Sequence, residues 1–183
     1  MAGAIKNNIA IIGFMGTGKT SVGKNLARIT GKKFVALDGL IEQKTGKSIN
    51  DIFRDYGEIY FRELEIAVVK EVAGRQNQVI DCGGGVVLNK INIDRLRETS
   101  VIVCLLASPE DILKRLSSKN DRPLLAATDK KRRIHELLDF RQPFYERYGD
   151  IFVDTSGKTL EEVVAEVVER LKEYAGFNFQ EQS

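Results

Sequence analysis

Eight residues near the start of the chain limit what the rest of it can be. Gly13-Phe14-Met15-Gly16-Thr17-Gly18-Lys19-Thr20 satisfies G-x-x-x-x-G-K-[ST] at each fixed position. The apolar run Ile9-Ala10-Ile11-Ile12 precedes it and an amphipathic stretch follows. The pattern is short enough to arise by chance, but a strand before it and a helix after it are what its physics requires. Glycines let backbone N–H groups turn toward one centre and form an anion nest. The N-terminus of the following helix adds partial positive charge. A lysine at this spacing reaches the β- and γ-phosphates of a nucleotide, and the Thr20 hydroxyl is placed for Mg²⁺. A glycine-rich turn with no ligand is the bland alternative, and the context weighs against it. The expected ligand is ATP, contacted by Gly13, Gly16, Thr17, Gly18, Lys19, Thr20 and Ser21.

Beyond this segment, short apolar runs alternate with longer amphipathic stretches. Phe34 to Leu37, Val79 to Asp81, Val101 to Leu106 and Ile151 to Val153 read as further strands. Helices are expected over Ser21 to Thr30, closed by Gly31, and from Ser48, with Gly57 interrupting before Glu58 to Ala73 continues. A third starts at Ser108-Pro109-Glu110-Asp111, where a cap, a first-turn proline and two acids coincide. Two more are expected over Lys130 to Arg147 and from Thr159 to about Tyr174. Ser117 to Asp129 has little apolar periodicity and reads as a loop. Such alternation implies a parallel sheet with helices on both faces. The apolar first strand suits burial on both sides.

The length of 183 residues fits one domain, here 1–175, with 176–183 as a polar, frayed tail. A net charge of +2 argues against a dedicated nucleic-acid binder. The basic run Lys130-Lys131-Arg132-Arg133 then reads as a solvated helix face, and the lone His135 as a surface or cap residue. Cys82 and Cys104 each sit in an apolar run and read as buried, reduced thiols. Neither a signal region nor an apolar run near the ~20 residues that span a bilayer is seen, so a cytoplasmic protein is expected.

Three features face an acceptor. Asp38, at the end of the second strand, should lie in the same crevice as the phosphate loop, because ligands of open parallel sheets bind beyond the carboxyl ends of the strands. A plain N-cap of a helix over Gly39 to Lys44 fits equally well. Gly83-Gly84-Gly85 follows the third strand and marks either a close ligand approach or a loose turn. Arg62, Arg122 and Arg141 are candidates for bidentate anion binding, although any one of them alone reads as a surface residue.

Together these motifs resemble the shikimate kinase family. The resemblance rests on 13–20 (GFMGTGKT), 37–42 (LDGLIE), 46–53 (GKSINDIF), 57–65 (GEIYFRELE), 82–87 (CGGGVV), 122–125 (RPLL) and 141–145 (RQPFY), in family order. It implies a three-layer α/β P-loop NTPase fold with a central five-stranded parallel sheet, like the nucleoside-monophosphate kinases, with a substrate region over about 38–74 and a mobile lid over about 117–129. It implies transfer of the ATP γ-phosphoryl group to the 3-hydroxyl of shikimate, giving shikimate 3-phosphate and ADP in chorismate and aromatic amino acid biosynthesis. Asp38 matches the aspartate that binds ring hydroxyls and accepts the proton. Arg62 and Arg141 match the carboxylate pair, Gly83, Gly84 and Gly85 the substrate-side loop, and Phe53 and Phe61 the apolar wall. Glu65 matches the acid that steadies Arg62, Arg122 the lid arginine, and Arg115 an adenine-stacking arginine. Lys19, Asp38 and Arg122 are thus the expected catalytic residues. The expected partners are shikimate and ATP with Mg²⁺, without nucleic acid or membrane, and a monomer is expected.

One position departs from the pattern. Many family members carry an acid two residues before the matched aspartate, where this chain has Ala36. Asp81, an acid inside an apolar run, either supports the Mg²⁺ waters in its place or bonds to backbone or to a nearby hydroxyl. Another small-molecule P-loop kinase, such as a gluconate or nucleotide kinase, is the nearest rival function. A non-catalytic nucleotide-binding protein is the rival of a different class.

Overall fold

The computed structural model describes residues 5–116 and 130–181. The lid expected over about 117–129, with Arg122 in it, lies outside them. The strands are β1 (Asn8–Gly13), β2 (Lys33–Ala36), β3 (Gln78–Asp81), β4 (Ser100–Leu106) and β5 (Ile151–Asp154). They form one parallel sheet in the order β2-β3-β1-β4-β5. The helices are α1 (Lys19–Thr30), α2 (Leu37–Thr45), α3 (Ile49–Ala73), α4 (Lys90–Thr99), α5 (Pro109–Leu116), α6 (Lys130–Tyr148) and α7 (Leu160–Glu173), with a 3-10 turn at Val86–Leu88.

Every residue of β1 is buried. Side chains alternate across a strand, so its residues divide between two cores. Ala10 and Ile12 join Val69 and Val72 of α3, Ile93 and Leu96 of α4 and Tyr145 of α6. Ile9 and Ile11 join Val22 and Leu26 of α1 and Val163, Val167 and Leu171 of α7. Helices cover both faces, as the alternating pattern required. Cys82 and Cys104 are buried free thiols in the first of these cores, and burial pushes the Cys104 thiol up to about 12.

Local signals set most boundaries. Gly31 closes α1 in a left-handed conformation. The Ser48 hydroxyl accepts from Asp51 N at the start of α3, and Gly57 breaks that helix with φ 80 and ψ 177. Thr159 and Glu162 form a full capping box at α7.

Three expectations need correction. The second strand ends at Ala36 and α2 begins at once, so Asp38 lies in the first turn of α2, with Ala36 as the cap residue. It therefore neither ends a strand nor caps a helix. Residues 90–99, for which the sequence suggested no element, form α4. The tail is tied down rather than frayed at Phe177, which is 8% exposed in the second core, while Lys6 N donates to Gly176 O. An aromatic residue with a core to enter outweighed the polar composition around it.

Candidate active site

Parallel strands direct all their carboxyl ends to one edge of the sheet, and the order reverses around β1. That edge is where an open parallel sheet opens a crevice. The loop from Gly13 to Gly18 leaves β1 there and runs into α1. Gly13, Gly16 and Gly18 take φ of 145, 82 and 93, and a Cβ on Gly13 would collide with the Leu105 carbonyl oxygen of β4. Side chains are thereby excluded and the N–H groups at the head of α1 are left to face the crevice. Lys19, only 8% exposed, donates from Nζ to Gly13 O and Phe14 O, each at 3.0 Å. Its ammonium is held over the loop before any phosphate arrives.

Beside the loop, a cavity of about 130 Å³ is lined by Lys19, Thr20, Ala36, Asp38, Asp81 and Gly83 among others. The hydroxyl of Thr20 donates to Asp81 Oδ2 at 2.5 Å. Asp81 of β3 stands in register with Ala36 of β2. The carboxylate absent at position 36 therefore has a neighbour on the adjacent strand, facing the same cavity.

The acceptor candidates converge next to it. A Cβ on Gly83 would stand 2.9 Å from Asp38 Oδ1 and 3.4 Å from Glu65 Oε1, so the glycine loop lets both carboxylates close in. A Cβ on Gly85 would collide with the Arg62 guanidinium. Arg62 Nη1 donates to both Glu65 oxygens at 3.1 Å, and its Nη2 to Glu58 Oε1 at 2.9 Å. Glu65 is 1% exposed, and burial pushes its carboxyl up to about 7 against the pull of the Arg62 charge. Arg141, 3% exposed, donates from Nη1 to Gly84 O at 3.3 Å, while its buried Nε has no partner among the described residues. A buried guanidinium with a spare donor calls for an anion. The Phe53 and Phe61 rings, 4.7 Å apart, flank this end, with Arg62 5.1 Å over Phe61.

On the other side of the loop, a cavity of about 210 Å³ is bounded by Thr17, Gly18, Ser21, Arg115, Thr155 and the start of α7. Arg115 donates to Gly16 O at 3.1 Å, Thr155 Oγ1 at 2.9 Å and Thr155 O at 2.7 Å. These bonds tie the end of α5 to the phosphate loop and to the segment after β5.

Sequence reasoning missed three groups here. The Tyr145 hydroxyl donates to Gly84 O at 2.5 Å, the Phe14 ring lies 5.8 Å under the Arg141 guanidinium, and Asn92 of α4 reaches Glu65. Tyr145 lies within the quoted RQPFY motif, and Phe14 occupies an unconstrained loop position. Asn92 sits in a helix the sequence did not signal.

The family model described as shikimate kinase matches residues 15–172. A shikimate kinase from Caldanaerobacter subterraneus subsp. tengcongensis is 50% identical over 161 residues, covering 88% of this chain and 94% of the relative. One from Thermodesulfovibrio yellowstonii is 47% identical over 167 residues, covering 91% and 94%. The solved shikimate kinase from Acinetobacter baumannii in complex with shikimate superposes with a TM-score of 0.88 at 31% identity, covering 92% of this chain and 94% of that one. The phosphate nest, its lysine and its hydroxyl, at the carboxyl edge of a five-stranded parallel sheet, make this a P-loop kinase that uses ATP. The acceptor side narrows the class, and the chain belongs to the shikimate kinase family.

Proposed function

We propose that this chain transfers the ATP γ-phosphoryl group to the 3-hydroxyl of shikimate, with Arg62 and Arg141 gripping the acceptor's carboxylate. The observation that carries this reading is the pair of guanidiniums around the glycine loop, one of them buried with an unused donor. Lys19 and the N–H groups of the loop hold the β- and γ-phosphates. Asp38 positions the ring hydroxyls and takes the proton of the attacking one. The Phe53 and Phe61 faces pack the ring. Thr17, Gly18, Ser21 and Arg115 take the nucleoside side. Arg122 completes the charge neutralisation from the lid. Chemistry of this kind depends on positioning, charge neutralisation and exclusion of water more than on covalent steps. We also read the enzyme as a cytoplasmic monomer. Among the described residues no helix is long and apolar enough to cross a membrane.

A coupled ADP-release assay with shikimate, gluconate and nucleoside monophosphates tests the function. Turnover should appear with shikimate, and turnover only with another acceptor would refute the assignment. Within it, Arg141→Ala should raise the KM for shikimate by an amount equivalent to ~1.5–3 kcal/mol of lost charged hydrogen bonding, with the KM for ATP unchanged. An unaltered shikimate KM would remove Arg141 from the carboxylate site.

Thr20 and Asp81 fit a Mg²⁺ site. They offer a hydroxyl and a carboxylate 2.5 Å apart in the cavity shared with Lys19, an oxygen-only set suited to a hard cation that keeps several waters. Thr20 would hold the ion directly and Asp81 through water. When bound, the ion neutralises charge on the β- and γ-phosphates. Asp81→Asn should weaken Mn²⁺ binding to the enzyme–ADP complex about tenfold, read by electron paramagnetic resonance, and raise the Mg²⁺ needed for half-maximal rate. Unchanged metal affinity would leave Asp81 as no more than a hydrogen-bond acceptor for Thr20.

A further inference from the structure

Asn92 has no part in the reading above, yet it touches the machinery. It is fully buried on α4. Its Nδ2 lies 3.5 Å from Glu65 Oε2 and 3.4 Å from Val86 O, and its Oδ1 is buried with no partner among the described residues. Buried polar atoms are normally satisfied, so the orphan oxygen needs a reason. Packing does not supply one, since an apolar side chain of similar shape would fill the space without leaving an unpaired acceptor. The reverse amide orientation would set Oδ1 against a carboxylate and a backbone carbonyl. The two acceptors therefore fix which way the amide points, and Oδ1 goes without.

We propose that Asn92 is a positioning residue for the acceptor's carboxylate, tying Glu65, and through it Arg62, to the backbone just beyond the glycine loop. This rests on the reading of Arg62 as a carboxylate ligand. Val86 opens the 3-10 turn that follows Gly85, the residue whose missing side chain makes room for the Arg62 guanidinium. Arg62 rests on Glu65 through a single nitrogen, Nη1. One amide thus references both the floor of the site and the carboxylate that aims the arginine. Glu65 also needs help to stay charged, because burial pushes its carboxyl up toward neutral pH and Asp38 adds to that push. A donor aimed at Oε2 favours the ionised form that Arg62 requires.

Asn92→Leu keeps the branching and the number of heavy atoms and removes the donor. In the ADP-release assay it should raise the KM for shikimate about tenfold, with kcat and the KM for ATP within about twofold of wild type and no loss of melting temperature. The effect should vanish with an acceptor whose carboxylate is reduced to a hydroxymethyl group. It should also add nothing in a Glu65→Gln background. A folded variant with an unchanged shikimate KM would overturn the proposal. So would an equal loss with the reduced acceptor or with ATP, because either would mean general damage to the core. If Asn92→Leu does not fold, Asn92→Ala carries the same comparison. Wild-type enzyme that ignored shikimate would bring down the acceptor assignment and this inference with it, whereas normal wild-type turnover beside an unaltered variant would bring down this inference alone.

Discussion

Lys19→Ala should cut kcat by roughly 10³-fold or more, since on the proposed reading it removes a preplaced cation from the phosphates at the moment their charge redistributes. The ammonium sits almost out of solvent, held by two loop carbonyls at 3.0 Å. It therefore needs little reorganisation when a nucleotide displaces those contacts. Ground-state ATP still has the loop N–H groups and the start of α1, so the KM for ATP should rise far less than kcat falls. The fold should survive, because the loop is shaped by its glycines and by the Thr17 hydroxyl, which donates to Phe14 O at 2.8 Å. Lys19→Arg should not rescue the rate. Its fork is wider than an ammonium and must enter a cavity of about 130 Å³ already shared with Thr20, Asp38 and Asp81. Steady-state kinetics with circular dichroism on both variants checks this, and a kcat within tenfold of wild type for Lys19→Ala would show that the loop backbone carries the stabilisation.

Groups near one another in sequence were legible before the structure, and groups joined only by the fold were not. The phosphate loop is local, so its residues could be named one by one. The arginines were visible as residue types, and the resemblance supplied Glu65 beside Arg62, but the carbonyl that holds Arg141 and the amide behind Glu65 were not legible. Arg115 meets Thr155 across 40 positions, and Asn92 meets Glu65 across 27. The helix α4 was hidden because the buried residues of Lys90–Thr99 are Asn92, Ile93 and Leu96, so a polar side chain stands where the apolar stripe would have announced it. The start of α2 was misplaced because no glycine, proline or cap side chain separates Ala36 from Leu37. The carboxylate beside Thr20 illustrates the same limit. Asp81 could be named from the sequence as a substitute for the acid missing at Ala36, but that the two positions stand side by side came only with the parallel register. In one dimension the two positions are 45 residues apart, and strand pairing is what brings them together.

Asp38→Asn should lower kcat by ~10²–10⁴-fold, the range a positioned proton acceptor contributes, with the KM for ATP unchanged. The placement of Asp38 in the first turn of α2 matters here. The positive end of the helix stabilises its carboxylate, while the absent side chain of Gly83 lets Oδ1 face the cavity that holds Lys19. Asparagine keeps the size and one acceptor oxygen but takes up no proton. Because phosphoryl transfer passes through a loose transition state, the hydroxyl proton becomes acidic only as the new O–P bond forms. A base is then needed late, to take up that proton as the new O–P bond is completed. The KM for shikimate should accordingly rise by severalfold at most, since hydrogen bonds to the ring hydroxyls are weakened but not removed. The comparison with Arg141→Ala separates the two halves of the acceptor site, with one variant losing rate at near-normal affinity and the other losing affinity at near-normal rate. If Asp38→Asn shifted only the shikimate KM, the carboxylate would be a second handle on the substrate, and the proton would have to leave through the phosphate itself.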